Sequence, residues 1–226
     1  MLIGLEKRFV FIANTKTGST SIEQALAQYA DFQHVGTPKR KHIGIRDVLN
    51  EYQCVFSQPG SGPETFLKFG VMRDPVDWIV SWFRYRKREG EHQRLPIDMT
   101  LEEFWERRDW TFQKQGGVKN LQKTRFTSET GEVLMDRIIP FPELAPQFAA
   151  ICDSLGIKIP LPKANVSKIR ALDVPISVNL RRKIEQFFEE DYELYNRLDE
   201  LNARPASDER QPCWPPSSTK MAGGRR

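Results

Sequence analysis

A short polar loop near the start of the chain carries residue types that bind phosphate. It runs from Asn14 to Ser21, where a helix is predicted to begin. Lys16 supplies a positive charge, Gly18 lets an anion approach the backbone, and the unpaired N–H groups at a helix start attract anions. Further hydroxyl donors come from Thr17, Ser19, Thr20 and Ser21. The loop therefore predicts an anion-binding site.

Two other interpretations of this loop stay open. Serine and threonine are common helix N-caps, so the loop can be a hydroxyl-rich turn that only caps a helix. It can also belong to a P-loop nucleoside kinase, in which Asp74 would have to help hold Mg²⁺. A Walker A motif, however, places its lysine after the last glycine, and here Lys16 precedes Gly18. That order weakens the case for a kinase.

A second polar motif follows the next predicted strand. Arg73 lies at the carboxyl end of that strand, and Ser81 lies two turns into the following helix. An arginine fork with a serine hydroxyl suits a terminal phosphate monoester, and open α/β sheets bind ligands at the carboxyl ends of their strands. We therefore expect Arg73 and the Lys16 loop to face one nucleotide. In the alternative, Arg73 pairs with Asp74 or Asp77, and Ser81 is an ordinary helix-surface residue.

Together the two motifs resemble those of sulfotransferases that use 3′-phosphoadenosine 5′-phosphosulfate (PAPS). The first loop of that family, which holds the 5′-phosphosulfate, is similar to residues 15–21, although Thr15 stands where proline is usual. The second family motif is Arg-x-Pro-x-Asp-x-x-x-Ser, and its arginine and serine hold the 3′-phosphate. It is matched in full by Arg73, Pro75, Asp77 and Ser81.

Three further stretches resemble the carbohydrate-type branch of the family, namely the pair Lys41-His42, residues 161–168 and residues 187–195. In the second of these, Asn165, Ser167 and Lys168 are expected to close over the nucleotide. The resemblance covers about residues 9–201 and is sparse between residues 89 and 130.

The resemblance implies transfer of the sulfuryl group from PAPS to an acceptor hydroxyl or amine, with PAP as the product and without a metal. Lys16 and the loop N–H groups would stabilise the negative charge that grows on the bridging oxygen. His42 is the candidate base for the acceptor's proton, because imidazole titrates near neutrality. Alternatively, His42 is a surface residue of a basic run that binds an anionic acceptor. The sequence does not identify the acceptor; a carbohydrate is one candidate.

Strand–loop–helix units must position these residues. The predicted strands are residues 8–13 and 66–72, and the predicted helices are residues 20–30, 75–88, 143–155 and 177–201. Strands that alternate with helices predict a P-loop-like, three-layer α/β/α fold with a central parallel sheet of about four or five strands. The polar segments 31–53 and 108–130 are predicted to be irregular, substrate-facing loops.

Length and composition predict one domain, residues 1–202, followed by a disordered tail, residues 203–226, rich in proline, serine and glycine. The net charge of +4 comes mostly from that tail, so no nucleic-acid partner is expected.

Cysteine usage and hydropathy predict a cytoplasmic protein. The three cysteines are far apart and form neither a disulfide framework nor a zinc site. No apolar run approaches the roughly 20 residues that span a bilayer.

A third interpretation of the nucleotide motifs also stays open, that of a non-catalytic module that binds PAP.

Overall fold

The computed structural model describes residues 1–34, 37–88, 94–108, 112–162 and 174–203. Its strands are β1 (Leu2–Gly4), β2 (Phe9–Ile12), β3 (Phe32–Gln33), β4 (Leu67–Met72) and β5 (Arg137–Pro140). They form one sheet in the order β3-β1-β2-β4-β5. β4 pairs in parallel with both β2 and β5, whereas β1 is antiparallel to both of its neighbours. Four of these strands therefore run in one direction.

The helices in the described part of the chain are α1 (Ser19–Leu26), α2 (Pro38–Lys41), α3 (Ile45–Glu51), α4 (Gln53–Phe56), α5 (Pro75–Arg86), α6 (Leu101–Glu106), α7 (Leu144–Ser154), α8 (Val178–Phe187), α9 (Glu189–Tyr195) and α10 (Leu198–Asn202). None of them combines the length and the hydrophobicity that a bilayer crossing requires.

Helices cover both faces of the sheet, as the alternation of side chains along β2 shows. Phe9 and Phe11 point to one face and pack with α1 and α7. Val10 and Ile12 point to the other face and pack with α3, α9 and α10. All four side chains are fully buried, because a central strand has no solvent-facing side. The predicted α/β fold is confirmed, and the sheet has five strands. The sheet is mostly parallel and not wholly so, because β1 runs antiparallel to both of its neighbours.

A third apolar cluster joins α5, α6 and α8. Trp78, Trp82 and Trp105 are buried in it, as their helical spacing predicts for core aromatics. The start of α5 also agrees with its sequence signals. Pro75 occupies the first turn, and the carboxylate of Asp74 caps the helix by accepting a hydrogen bond from the N–H of Asp77 over 3.0 Å. The position of Arg73 directly before α5 follows from this local signal.

Two predictions about elements are wrong. Residues 177–201 form α8, α9 and α10 instead of one helix, since the backbone leaves helical geometry at Phe188 (φ −104°, ψ 27°). A continuous apolar pattern does not reveal such a break. Residues 31–53 are not irregular, because they include β3, α2 and α3. The buried pair Ile45 and Val48 is too short a pattern to predict α3. The predicted tail lies outside the described residues, apart from Ala203.

Candidate functional site

The loop between β2 and α1 holds two residues in left-handed backbone conformations. Lys16 has φ 60° and Gly18 has φ 74°. For a residue other than glycine this conformation costs about 1 kcal/mol, and such strain is concentrated at ligand sites. Gly18 is needed for a second reason, because a Cβ there would lie 2.9 Å from a methyl carbon of Leu144. The loop is thus closely packed against the segment that follows β5.

Asn14 fixes the shape of this loop from a buried position. Its Oδ1 accepts a hydrogen bond from the N–H of Thr15 over 2.8 Å. Its carbonyl accepts one from the Thr17 hydroxyl over 3.0 Å. Its Nδ2 donates to the carbonyl of Val71 in β4 over 3.2 Å. The loop is therefore connected to the neighbouring parallel strand as well as closed on itself.

Most hydroxyl groups of the loop are buried. Thr17 is fully buried, Ser19 and Ser21 are each 6% exposed, and Thr20 is half-buried. The N-cap of α1 is Gly18, which has no side chain to bond the first turn. The hydroxyl-capped turn considered as an alternative is therefore not what the loop forms. The backbone N–H groups at the start of α1 are thus the groups of this loop best placed to bind an anion.

The side chain of Lys16 reaches from the loop to α5. Its Nζ lies 3.8 Å from the centre of the Tyr85 ring and 5.7 Å from that of Trp82. Tyr85 follows Ser81 by one helical turn, and Ser81 itself is half-buried. The fold therefore brings the lysine of the first motif to the helix that carries the serine of the second motif.

Arg73 meets the same loop from the end of β4. Its Nη1 donates to the carbonyl of Lys16 over 3.4 Å, and its guanidinium carbon lies 4.4 Å from the centre of the Phe141 ring. Its Nε is buried, and no atom of the described residues accepts a hydrogen bond from it. Burial lowers the pKa of this guanidinium, and the nearby Asp77 opposes that effect. Arg73 is thus a largely desolvated cation beside the loop.

The alternative in which Arg73 forms an ion pair with a neighbouring aspartate is wrong. In the described part of the chain, no carboxylate lies within 4.0 Å of the Arg73 guanidinium, and Asp74 and Asp77 both belong to that part. The carboxylate of Asp74 instead accepts bonds from the N–H of Asp77 and from the hydroxyl of Tyr192 over 3.0 Å each.

His42 contacts the last residue before the loop. Its Nδ1 lies 2.8 Å from the carbonyl oxygen of Ala13. A carbonyl only accepts, so Nδ1 carries the proton and the Nε2 of the neutral ring keeps its lone pair. Burial lowers the pKa of His42 from 6.5 to about 4, although the bond to Ala13 acts in the opposite direction. The expectation that this imidazole titrates near neutrality is therefore wrong, and the ring is neutral at pH 7.

Charges around His42 do not form a simple basic patch. Lys41 is paired with Glu23, with 2.7 Å between Nζ and Oε2. Arg125 is half-buried and lies close enough to act with Lys41 in lowering the pKa of His42. Burial also lowers the pKa of the Arg125 guanidinium, and Asp47 opposes that effect.

Several residues of this site carry no motif that sequence reasoning can detect. Trp78, predicted only as a core residue, also donates from Nε1 to the carbonyl of Thr15 over 2.9 Å. Phe141 stacks under Arg73 from a segment about 70 residues away, and Arg125 belongs to a stretch with no recognisable pattern. In the sequence, Trp78 and Phe141 are distinguished only by their aromatic side chains, which indicate burial and not a role in a site.

Three residues predicted to close over the nucleotide, Asn165, Ser167 and Lys168, lie outside the described residues. Within the ranges that the structure describes, no group of three or more histidine, cysteine, aspartate or glutamate side chains is arranged to hold a metal ion.

Comparison of the chain with protein-family models, with curated proteins and with solved structures gives no match.

Proposed function

We propose that this protein is a PAPS-dependent sulfotransferase with a P-loop-like α/β/α fold. It would move the sulfuryl group of PAPS to an acceptor hydroxyl or amine and release PAP, with a carbohydrate as one candidate acceptor. One observation carries the proposal: the Lys16 loop and Arg73 meet at the carboxyl ends of the parallel neighbours β2 and β4, joined by the 3.4 Å bond from Arg73 to the Lys16 carbonyl. This edge of an open sheet is where nucleotides bind.

Two anion sites at this edge match a nucleotide that carries phosphate at both ends. The loop N–H groups, with Lys16 and the hydroxyls of Ser19 and Thr20, would hold the 5′-phosphosulfate, because the buried Thr17 hydroxyl already donates to the Asn14 carbonyl. Arg73 and Ser81 would hold the 3′-phosphate. A buried charged donor without a partner is costly, and the buried Nε of Arg73 is such a donor among the described residues. A phosphate oxygen would satisfy it.

The transfer itself requires a group that removes a proton and a group that stabilises the departing charge. As the acceptor oxygen or nitrogen bonds to sulfur, the bond from sulfur to the bridging oxygen breaks and negative charge grows on that oxygen. Lys16 and the loop N–H groups would stabilise this charge. The Nε2 of His42 would take the acceptor's proton, because the carbonyl of Ala13 already holds the proton on Nδ1.

The kinase alternative has less support from the geometry. A kinase would need Asp74 as a ligand of Mg²⁺, yet this carboxylate accepts hydrogen bonds from the N–H of Asp77 and the hydroxyl of Tyr192. The non-catalytic module shares both anion sites, and only turnover distinguishes it from an enzyme.

A thermal-shift experiment with PAP, PAPS, AMP, ATP and GTP, each with and without Mg²⁺, tests the proposal. A ligand that binds only the native state raises its stability in proportion to RT ln(1 + [L]/Kd). We expect PAP and PAPS to stabilise the protein without Mg²⁺, and AMP to do so much less because it lacks the 3′-phosphate. Equal shifts from PAP and AMP would contradict the assignment of Arg73 and Ser81. A shift that requires both ATP and Mg²⁺ would favour the kinase.

A further inference from the structure

The side chain of Gln122 joins the two candidate nucleotide motifs. Its Oε1 accepts a hydrogen bond from Asn14 Nδ2 over 2.9 Å and one from the N–H of Arg73 over 3.2 Å. Its Nε2 donates to the carbonyl of Arg73 over 2.8 Å. One amide thus contacts the first residue of the loop and both backbone polar groups of the arginine.

The chemistry of its partners fixes the orientation of this amide. Arg73 offers a backbone N–H that only donates and a carbonyl that only accepts, so Gln122 must present oxygen to the first and nitrogen to the second. Asn14 is oriented in the same way, because its Oδ1 faces the N–H of Thr15 and its Nδ2 faces the carbonyl of Val71. Neither amide can be rotated without losing several buried hydrogen bonds.

Gln122 is itself held by a buried carboxylate. The backbone N–H groups of Gln122 and Lys123 donate to the two oxygens of Asp191, over 3.0 Å and 2.8 Å. Asn14, Gln122 and Asp191 are 2%, 1% and 0% exposed. The next residue of α9, Tyr192, donates to Asp74. A desolvated network that α9 supports therefore connects the loop with Arg73.

We propose that Gln122 is a positioning residue that holds the Lys16 loop and Arg73 at the spacing required by a nucleotide with phosphate at both ends. The proposal rests on the function proposed above. Gln122 contacts neither motif through a charged group, so it acts through Asn14 and the backbone of Arg73. The affinity for a ligand that contacts both motifs depends on the spacing between them, whereas the affinity for a ligand that contacts one motif does not.

Two substitutions remove this connection in different ways. Gln122→Met keeps the length of the side chain but leaves Asn14 Nδ2 and both backbone groups of Arg73 without their partner. Gln122→Glu keeps the acceptor oxygen but, when ionised, loses the donor to the Arg73 carbonyl and places a negatively charged oxygen against it. Protonation of that carboxyl group restores the donor, so the second variant should recover at acidic pH.

The experiment measures PAP and AMP affinity by calorimetry, together with amide hydrogen exchange, for the wild type and both variants. For Gln122→Met we expect PAP affinity to fall roughly tenfold, the value of one buried hydrogen bond, with AMP affinity changed by less than about twofold. Amide exchange should rise in residues 14–18 and at Arg73, but not in α7. At about pH 8, Gln122→Glu should lose PAP affinity as Gln122→Met does, and at about pH 5 it should recover that affinity. Each affinity is compared with that of the wild type at the same pH, because Asp191, which accepts from the Gln122 N–H and whose pKa burial raises to about 6, titrates in the same range.

Gln113→Met is the matched control. Gln113 also donates from Nε2 to a backbone carbonyl, that of Gly117 over 3.1 Å, but it lies outside this network. The Gln113→Met variant should leave the PAP affinity and the amide hydrogen exchange of residues 14–18 unchanged.

The outcomes separate this proposal from the proposed function. Equal losses of PAP and AMP affinity in Gln122→Met, or a rise in exchange throughout the molecule, would overturn the positioning role and leave a structural one. If the wild type binds no PAP, the proposed function fails, and hydrogen exchange alone then decides whether Gln122 positions both motifs. Unchanged exchange in residues 14–18 and at Arg73 would overturn the proposal in either case.

Discussion

The Nδ1 atom of His42 lies 2.8 Å from the carbonyl oxygen of Ala13, the residue between β2 and the Lys16 loop. This contact connects the candidate base to the strand that positions Lys16. It also fixes the tautomer, since the carbonyl accepts the Nδ1 proton and leaves Nε2 as the basic nitrogen. Because burial disfavours the charged ring more than this bond favours it, the pKa of His42 falls to about 4.

The pH dependence of activity follows from this lowered pKa. The base is active when neutral, so kcat/KM, which reports the free enzyme, should hold down to mildly acidic pH and fall only near pH 4 instead of near 6.5. An NMR titration of the His42 ring should give the same midpoint. The folded state disfavours protonation, so the stability contributed by the neutral ring is present above pH 6.5 and is lost as the pH falls through about 4. A midpoint near 6.5 would contradict the buried, neutral ring.

Replacement of His42 should separate chemistry from nucleotide binding. His42→Asn is expected to lower turnover by about 10²–10⁴, the usual contribution of a positioned base, with PAP affinity nearly unchanged. His34→Asn is a matched control, because the Nδ1 of His34 also contacts a backbone carbonyl, that of Arg40 over 3.1 Å. Unchanged turnover of His42→Asn at saturating acceptor, with a raised KM for an anionic acceptor, would assign His42 to acceptor binding instead.

The charge of Lys16 should matter most when the bridging oxygen departs. Lys16→Met removes the charge and keeps a long side chain, so we expect turnover to fall by about 10²–10³ and PAP affinity by less. Lys87→Met is the control, since Nζ of Lys87 also lies over a ring of α5, 4.8 Å from the centre of Phe83. Equal losses of turnover and of PAP affinity would show that Lys16 binds the ground state only.

The contact between Lys16 and Tyr85 should oppose nucleotide binding if the ammonium group must leave the ring. A cation–π contact at a partly exposed site contributes about 0.5–1 kcal/mol, so Tyr85→Leu should raise PAPS affinity by roughly two- to fivefold. Tyr85→Phe keeps the ring and should bind PAPS like the wild type. Calorimetric titration of the three proteins checks this, and weaker binding by Tyr85→Leu would mean that the ring positions Lys16 for the nucleotide.

The parts of the site that could be predicted from the sequence are those with local signals. The run of apolar residues around Val10 and the polar loop after it fix one strand–loop–helix unit. Asp74 and Pro75 define the start of α5 and hence the position of Arg73. Ligands of open α/β sheets bind at the carboxyl ends of the strands, and this rule was enough to predict that both motifs lie at the same end of the sheet.

The other parts depend on contacts between distant segments. Gln122 is 108 residues from Asn14 and 49 from Arg73, and Asp191 is 69 residues from Gln122. Each of these residues is polar and buried, which a hydropathy pattern does not anticipate. The lowered pKa of His42 has the same origin, because it is set by burial and not by residue type. The contact of Lys16 with Tyr85 likewise depends on how α5 packs against the loop.

Arg73 provides the most direct test of the 3′-phosphate site. Its guanidinium is held against Phe141 and the Lys16 carbonyl, with a buried Nε that has no acceptor among the described residues. Arg73→Ala should therefore weaken PAP binding by ~1.5–3 kcal/mol, the value of a charged hydrogen bond, with little effect on AMP. Arg137→Ala is the control, because Arg137 is also half-buried but begins β5 at the opposite edge of the sheet. Calorimetry should show PAP affinity lost only in the first variant; equal loss of PAP and AMP affinity in Arg73→Ala would mean that Arg73 supports the loop without contacting the 3′-phosphate.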